Sequence, residues 1–107
     1  MSSKTKRADN AIYQMRRNRR LLQKQLAVLL GHKYTHNLSR YEHGVVLPPL
    51  ETALLLEIAL GIRLQDLFPG LYEQLQATVL KRCYHLPLDV RRGVIGRLLG
   101  EDSHEHT

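Results

Sequence analysis

Cysteine is almost absent from this 107-residue chain, with Cys83 the single example. An internal disulfide is therefore excluded, and a lone cysteine reads as a small apolar filler on a helix face. Signatures of catalysis are missing as well. No Ser/His/Asp set, phosphate-cradling glycine-rich loop or HExxH pair occurs, so neither a catalytic residue nor a cofactor is expected. Six histidines are present. His32, His36 and His43 lie close together, but no cysteine joins them at zinc-ligand spacing, and no metal site is expected. Apolar runs fall well short of the ~20 residues that cross a bilayer. The opening SSKTKRADN is polar and lacks the apolar stretch of a secretory signal. A cytoplasmic protein with no membrane partner is the expectation. Strand-like alternation and internal repeats are also absent, which leaves an all-α chain sized for one domain with a modest core.

Charge is plentiful but unevenly placed. Residues 1–44 carry ten Lys/Arg against Asp9 and Glu42, a net +8, whereas residues 45–107 carry six against eight, a net −2. The basic half suits a polyanion, whether DNA, RNA or an anionic membrane. Its cations are not interleaved with stacking aromatics, which disfavours RNA.

Leucine spacing and glycine stops divide the chain into helices. A first helix is expected over 10–19, with Ile12 and Met15 facing the core. A second covers 23–30, with Leu26, Leu29 and Leu30 as its apolar stripe and Gly31 taking the positive φ that ends it. Leu22 has no oxygen with which to cap that helix. The third covers 35–43, with Thr35 bonding a backbone N–H near Leu38 as its cap and Gly44 as its stop. Leu38 and Tyr41 point inward; His36, Asn37, Ser39 and Arg40 lie mostly opposite. Pro48 and Pro49 open a fourth helix. There Leu50, Leu54 and Ile58, with Leu55 and Ala59, are expected to form the buried face, and Gly61 the end. A short fifth helix follows at 64–68. Two more are expected at 70–84 and beyond Asp89, with Val90, Val94, Leu98 and Leu99 on one side.

Residues 21–44, two short helices joined by a tight turn in a basic setting, suit DNA held in the major groove. That groove admits one α-helix and displays a distinct donor and acceptor pattern for each base pair. Asn37 can pair bidentately with adenine and Arg40 with guanine, either contact contributing ~1–3 kcal/mol of discrimination. Lys33, Arg19, Arg20 and Lys24 suit phosphates. The basic arm, with Lys4, Lys6 and Arg7, can follow the backbone or enter a minor groove. Taken singly, Gln23 also suits an exposed helix start, His36 and Asn37 a plain surface, and Arg40 an ion pair within the protein.

Together these residues resemble the Cro/CI-type (XRE) helix-turn-helix family. The resemblance runs through Arg16, Leu21, Gln23, Leu26-Ala27, Gly31, Leu38-Ser39-Arg40-Tyr41-Glu42, Gly44, Pro49-Leu50-Glu51 and Leu67-Phe68. It implies a five-helix, lambda-repressor-like DNA-binding domain over 10–68, preceded by a flexible basic arm (1–9). A helical extension follows over 69–100, a candidate for dimerisation or for packing back on its own domain, and then a disordered tail (101–107). It also implies that Gln23 bonds a phosphate, that Thr35, His36 and Asn37 meet base edges, and that Ser39 and Arg40 reach bases or phosphates. Arg16 and Glu42 match a pair that bridges the first and third helices. Three positions depart from the family pattern. Leu22 replaces a Ser or Thr cap, and Arg20 stands where Gly or Asn is frequent. Gly31 to Leu38 is one step longer than usual, which shifts the base contacts by about one position.

The expected function is sequence-specific transcriptional regulation of double-stranded DNA, as a repressor and a homodimer. Two other readings share the fold. An antitoxin would hold a toxin through its acidic half and regulate its own gene, and an interaction module would bind a protein partner with DNA binding lost.

Overall fold

A computed structural model describes residues 10–100; the arm expected over 1–9 and the tail expected over 101–107 lie outside the described residues. Among the described residues there are seven helices and no strand: α1 (Ile12–Asn18), α2 (Gln23–Leu29), α3 (His36–Glu42), α4 (Leu50–Leu60), α5 (Leu64–Leu67), α6 (Pro69–Cys83) and α7 (Leu88–Leu98). The chain falls into two units that divide between Gly70 and Leu71.

In the first unit α1 packs on α3 and α4, α2 packs on the same two helices, and α5 closes against α4. Ile12, Leu26, Leu38, Leu56, Leu60 and Leu67 are fully buried and form the centre of the core. Ala27 joins them, which corrects the stripe expected for α2. Leu29 stays about half exposed, and the small Ala27 takes the inward position.

The first four helices end by one device. In each, an amide just past the end reaches back five residues to a carbonyl: Leu21 to Arg16, His32 to Ala27, Val45 to Arg40 and Ile62 to Glu57, over 2.9–3.3 Å. The residue that makes the reversal sits at positive φ: Arg20 (59°), Gly31 (78°), Gly44 (73°) and Gly61 (67°). Glycine occupies this conformation without strain, while an L side chain there crowds the following carbonyl.

Helix starts differ from the sequence expectation in two places. Pro49 is not inside α4 but caps it, with extended backbone (φ −61°, ψ 162°). Thr35 precedes α3 but makes no side-chain capping bond, because its own backbone is already helical (φ −85°, ψ −2°). A hydroxyl cap needs the extended conformation to turn its oxygen toward the first free amides.

The larger correction concerns α4. Leu50, Leu54 and Ile58 are 71, 45 and 76% exposed, while Ala53, Leu56 and Leu60 are buried. Both rows have helical spacing, and only the packing of α1, α2 and α5 decides which faces inward.

The second unit holds most of α6 and all of α7. Residues 71–100 contribute one fully buried side chain, Cys83, whose thiol donates to the Leu80 carbonyl over 3.0 Å. The turn between the helices is held by Arg91, whose guanidinium donates to the carbonyls of Tyr84 and Leu86, each 3.2 Å away, and stacks on the Tyr84 ring at 4.8 Å. Among the described residues no helix is long and apolar enough to cross a membrane.

Candidate nucleic-acid interface

The position of α3 is set by a buried charge pair at its last turn. Arg16 Nε donates to Glu42 Oε2 at 2.6 Å and Nη2 to Oε1 at 3.3 Å, with side-chain exposures of 10 and 1%. The remaining Arg16 nitrogen, Nη1, donates to the Leu21 carbonyl at 3.0 Å, which ties in the strand of chain entering α2. Gln23 Nε2 adds a third bond to the same carboxylate, 3.1 Å from Oε1. One carboxylate thus locks α1, the start of α2 and the end of α3 together. Such a pair contributes little net stability, but one member left alone in the interior is costly.

Asn10 does a similar job from the other side. Its Oδ1 accepts the Ile12 amide at 3.0 Å and its Nδ2 donates to the Tyr41 carbonyl at 3.0 Å. The start of α1 is thereby fastened to α3. Leucine at the head of α2 is compensated too, since Gln25 Oε1 accepts the Leu22 amide at 2.8 Å.

With its inner side held by Leu38, Tyr41 and Glu42, α3 presents His36, Asn37 and Arg40 to solvent. Lys33 is exposed in the turn before them, Thr35 and Ser39 are partly buried at the margin, and Gln23 lies half-buried at the start of α2. Two features of this surface escape sequence reasoning. Tyr34, in the turn, is 71% exposed, and the Lys33 ammonium lies 6.0 Å from its ring centre. A tyrosine in an apolar-poor turn carries no periodic signal, so its exposure becomes visible only in the fold. Arg19, grouped by sequence with the phosphate-binding cations, also donates from Nε to the Leu60 carbonyl at 2.8 Å. That bond satisfies the end of α4, and the residue as a whole stays exposed.

The electrostatics are one-sided. Between Asn10 and Pro49 the chain has a single carboxylate, Glu42, and that group is buried against Arg16. Every exposed Asp, Glu, Lys or Arg charge on α1, α2, α3 and the turns between them is therefore cationic, and Arg17, Arg19, Arg20, Lys24, Lys33 and Arg40 supply it. Among the described residues no three His, Cys, Asp or Glu side chains gather as metal ligands.

A family model described as helix-turn-helix matches residues 12–67. No curated protein and no solved structure gave a match. The matched stretch runs from α1 through α5 and takes in more than half of the chain, so the protein belongs to the Cro/CI-type (XRE) helix-turn-helix family of DNA-binding proteins, with a lambda-repressor-like fold.

Proposed function

We propose that this protein is a sequence-specific transcriptional repressor that binds double-stranded DNA as a homodimer in the cytoplasm, with α3 seated in the major groove. The observation that carries the reading is the surface of the first unit. Its exposed charge from α1 to α3 is wholly cationic, and at its centre stand the exposed side chains of His36, Asn37 and Arg40.

Asn37 and Arg40 have the donor and acceptor geometry for adenine and guanine edges respectively. His36 and Thr35 stand at the same end of α3, the end that enters the groove first in helix-turn-helix complexes. Lys33, Ser39 and Gln23 flank them and suit phosphate oxygens, which fix register and orientation. Gln23 uses one amide proton on Glu42 and keeps a second for such a contact. Tyr34, exposed in the turn, can lay its ring against a sugar or a thymine methyl. Repression then needs only that the bound protein exclude others from the same stretch of DNA. A dimer supplies two recognition helices for half-sites about one helical turn, ~34–36 Å, apart.

The test is selection of bound duplexes from a random pool at two salt concentrations. The reading predicts enrichment of a two-fold symmetric sequence, with affinity falling steeply as salt rises. Failure to enrich any sequence contradicts it and directs attention to a protein partner.

A further inference from the structure

We propose that the second unit also holds DNA: Lys81 and Arg82 at the end of α6, with Arg92 and Arg97 on α7, form a second, sequence-independent surface for backbone phosphates. The inference rests on the DNA-binding reading above and extends it to a surface outside the helix-turn-helix domain.

The first support is a block of charge that the balance of the whole half conceals. Residues 45–73 carry Arg63 against four carboxylates, a net −3, and residues 101–107 carry three carboxylates and no Lys or Arg, again −3. Between these acidic stretches, residues 74–100 carry five Lys/Arg against Asp89 alone, a net +4. The half is acidic at its two ends and basic in the middle, and the basic part is α6 beyond Glu73 together with α7.

The second support is that the fold makes little use of these cations. Lys81, Arg82, Arg92 and Arg97 are all exposed. The ion pairs among the described residues join Arg16 to Glu42 and Arg63 to Asp66, and neither belongs to this unit. Arg91 is the exception in the block, since its guanidinium is spent on the Tyr84 and Leu86 carbonyls. Lys81, Arg82 and Arg97 lie in the last turns of their helices, where the negative end of the helix dipole favours a cation. Arg92 lies in the middle of α7, beyond the reach of that effect. Like charges gathered on one small unit repel each other in the free protein, and a polyanion turns that repulsion into attraction.

The third support selects DNA among polyanions. The units are joined without a linker, because α6 begins at Pro69, directly after the Phe68 that packs on the first core. A duplex held by the first unit therefore meets the cations of the second at the high effective concentration of a short tether. Phosphates recur every ~1.7 Å along a duplex whatever its sequence, so these contacts need no particular bases.

The experiment uses the full chain, so that the carboxylates of residues 101–107 compete as they do in the native protein. Affinity for the selected duplex and for an unrelated duplex of equal length is measured over a range of salt. The proteins are the wild type, the Lys81→Gln, Arg82→Gln double variant, the Arg92→Gln, Arg97→Gln double variant, the fourfold variant, and Arg40→Ala. Glutamine keeps the helix propensity of the residues it replaces, and the melting of each Gln variant should match the wild type. Each lost phosphate contact lowers the slope of log affinity against log salt by about one. The fourfold variant should therefore lose roughly two to four, and each double variant a part of that. At low salt the fourfold variant should bind both duplexes roughly tenfold or more weakly, by the same factor, which leaves the specificity ratio unchanged. Arg40→Ala should lower that ratio instead. A fourfold variant with the wild-type slope on both duplexes overturns the proposal, leaves the repressor reading in place and directs attention to an acidic protein partner for this surface. A fourfold variant that loses the ratio and not the uniform affinity also overturns it. If the wild type prefers no sequence, yet the fourfold variant binds every duplex more weakly and with a smaller slope, the phosphate surface stands and the repressor reading falls. Failure of the wild type to bind any duplex overturns both.

Discussion

Single residues in this protein are judged by what their neighbours leave unsatisfied. Glu42 is 1% exposed and accepts three hydrogen bonds from Arg16 and Gln23. Replacing it with alanine strands the Arg16 guanidinium in the interior, and the expected loss is ~3–5 kcal/mol of folding stability. Urea denaturation measures this, and a midpoint equal to the wild type would rule out the structural role. Glu42→Gln keeps an acceptor without the charge and should lose less. Arg20 is a case of the opposite sign. At φ 59° it is the one non-glycine residue among the described residues to hold a left-handed conformation. Arg20→Gly should relieve that crowding and stabilise the fold by ~0.5–1 kcal/mol, net of glycine's larger entropy when unfolded. A lower melting temperature for this variant would mean that the Arg20 side chain makes a contact worth more than the strain. The family pattern marks this position in the sequence, since glycine or asparagine is frequent there. The roles of Asn10 and Arg19 were not legible, because their partners are the main-chain carbonyls of Tyr41 and Leu60, far along the chain. No side-chain pattern records a bond to a backbone oxygen.

Elements were legible to the extent that local chemistry ends them. Gly31, Gly44 and Gly61 stop three helices through positive φ, and such stops are visible in sequence. Which face of a helix is buried was legible where polar and apolar residues separate, as in α3. In α4 they do not separate. Apart from Glu51, Thr52 and Glu57 the helix is apolar on all sides, so periodicity offers two stripes and cannot choose. The choice made by the fold is testable. Leu56→Ala should cost ~2–5 kcal/mol by leaving a cavity in the core. Ile58→Lys, at a position 76% exposed, should change stability by less than ~0.5 kcal/mol. Thermal melts of the two variants distinguish the faces, and a reversed order would restore the stripe expected from sequence. The same limit applies to α6 and α7, whose apolar spacing is plain in the sequence but says nothing about what covers it.

At the scale of the whole molecule, charge is unevenly divided along the chain. Exposed cations without exposed acids gather from α1 to α3, whereas exposed apolar side chains occur in both units. The cationic arrangement suits a phosphate backbone and should make binding strongly salt-dependent. Composition alone revealed this charge asymmetry, because the excess of Lys and Arg over residues 1–44 needs no coordinates. The pairing of Glu42 with Arg16, which removes the last acidic charge from that surface, was implied by the family resemblance, and the fold shows it buried. The central claim is that the exposed face of α3 reads bases and does not merely hold the backbone. The most direct measurement is the affinity of wild type and Arg40→Ala for the selected duplex and for an unrelated duplex of equal length at one salt concentration. Loss of a guanine contact should cost ~1–3 kcal/mol on the selected duplex and leave the unrelated duplex nearly unchanged, so the specificity ratio falls. An equal loss on both duplexes would make Arg40 a phosphate contact and contradict the account.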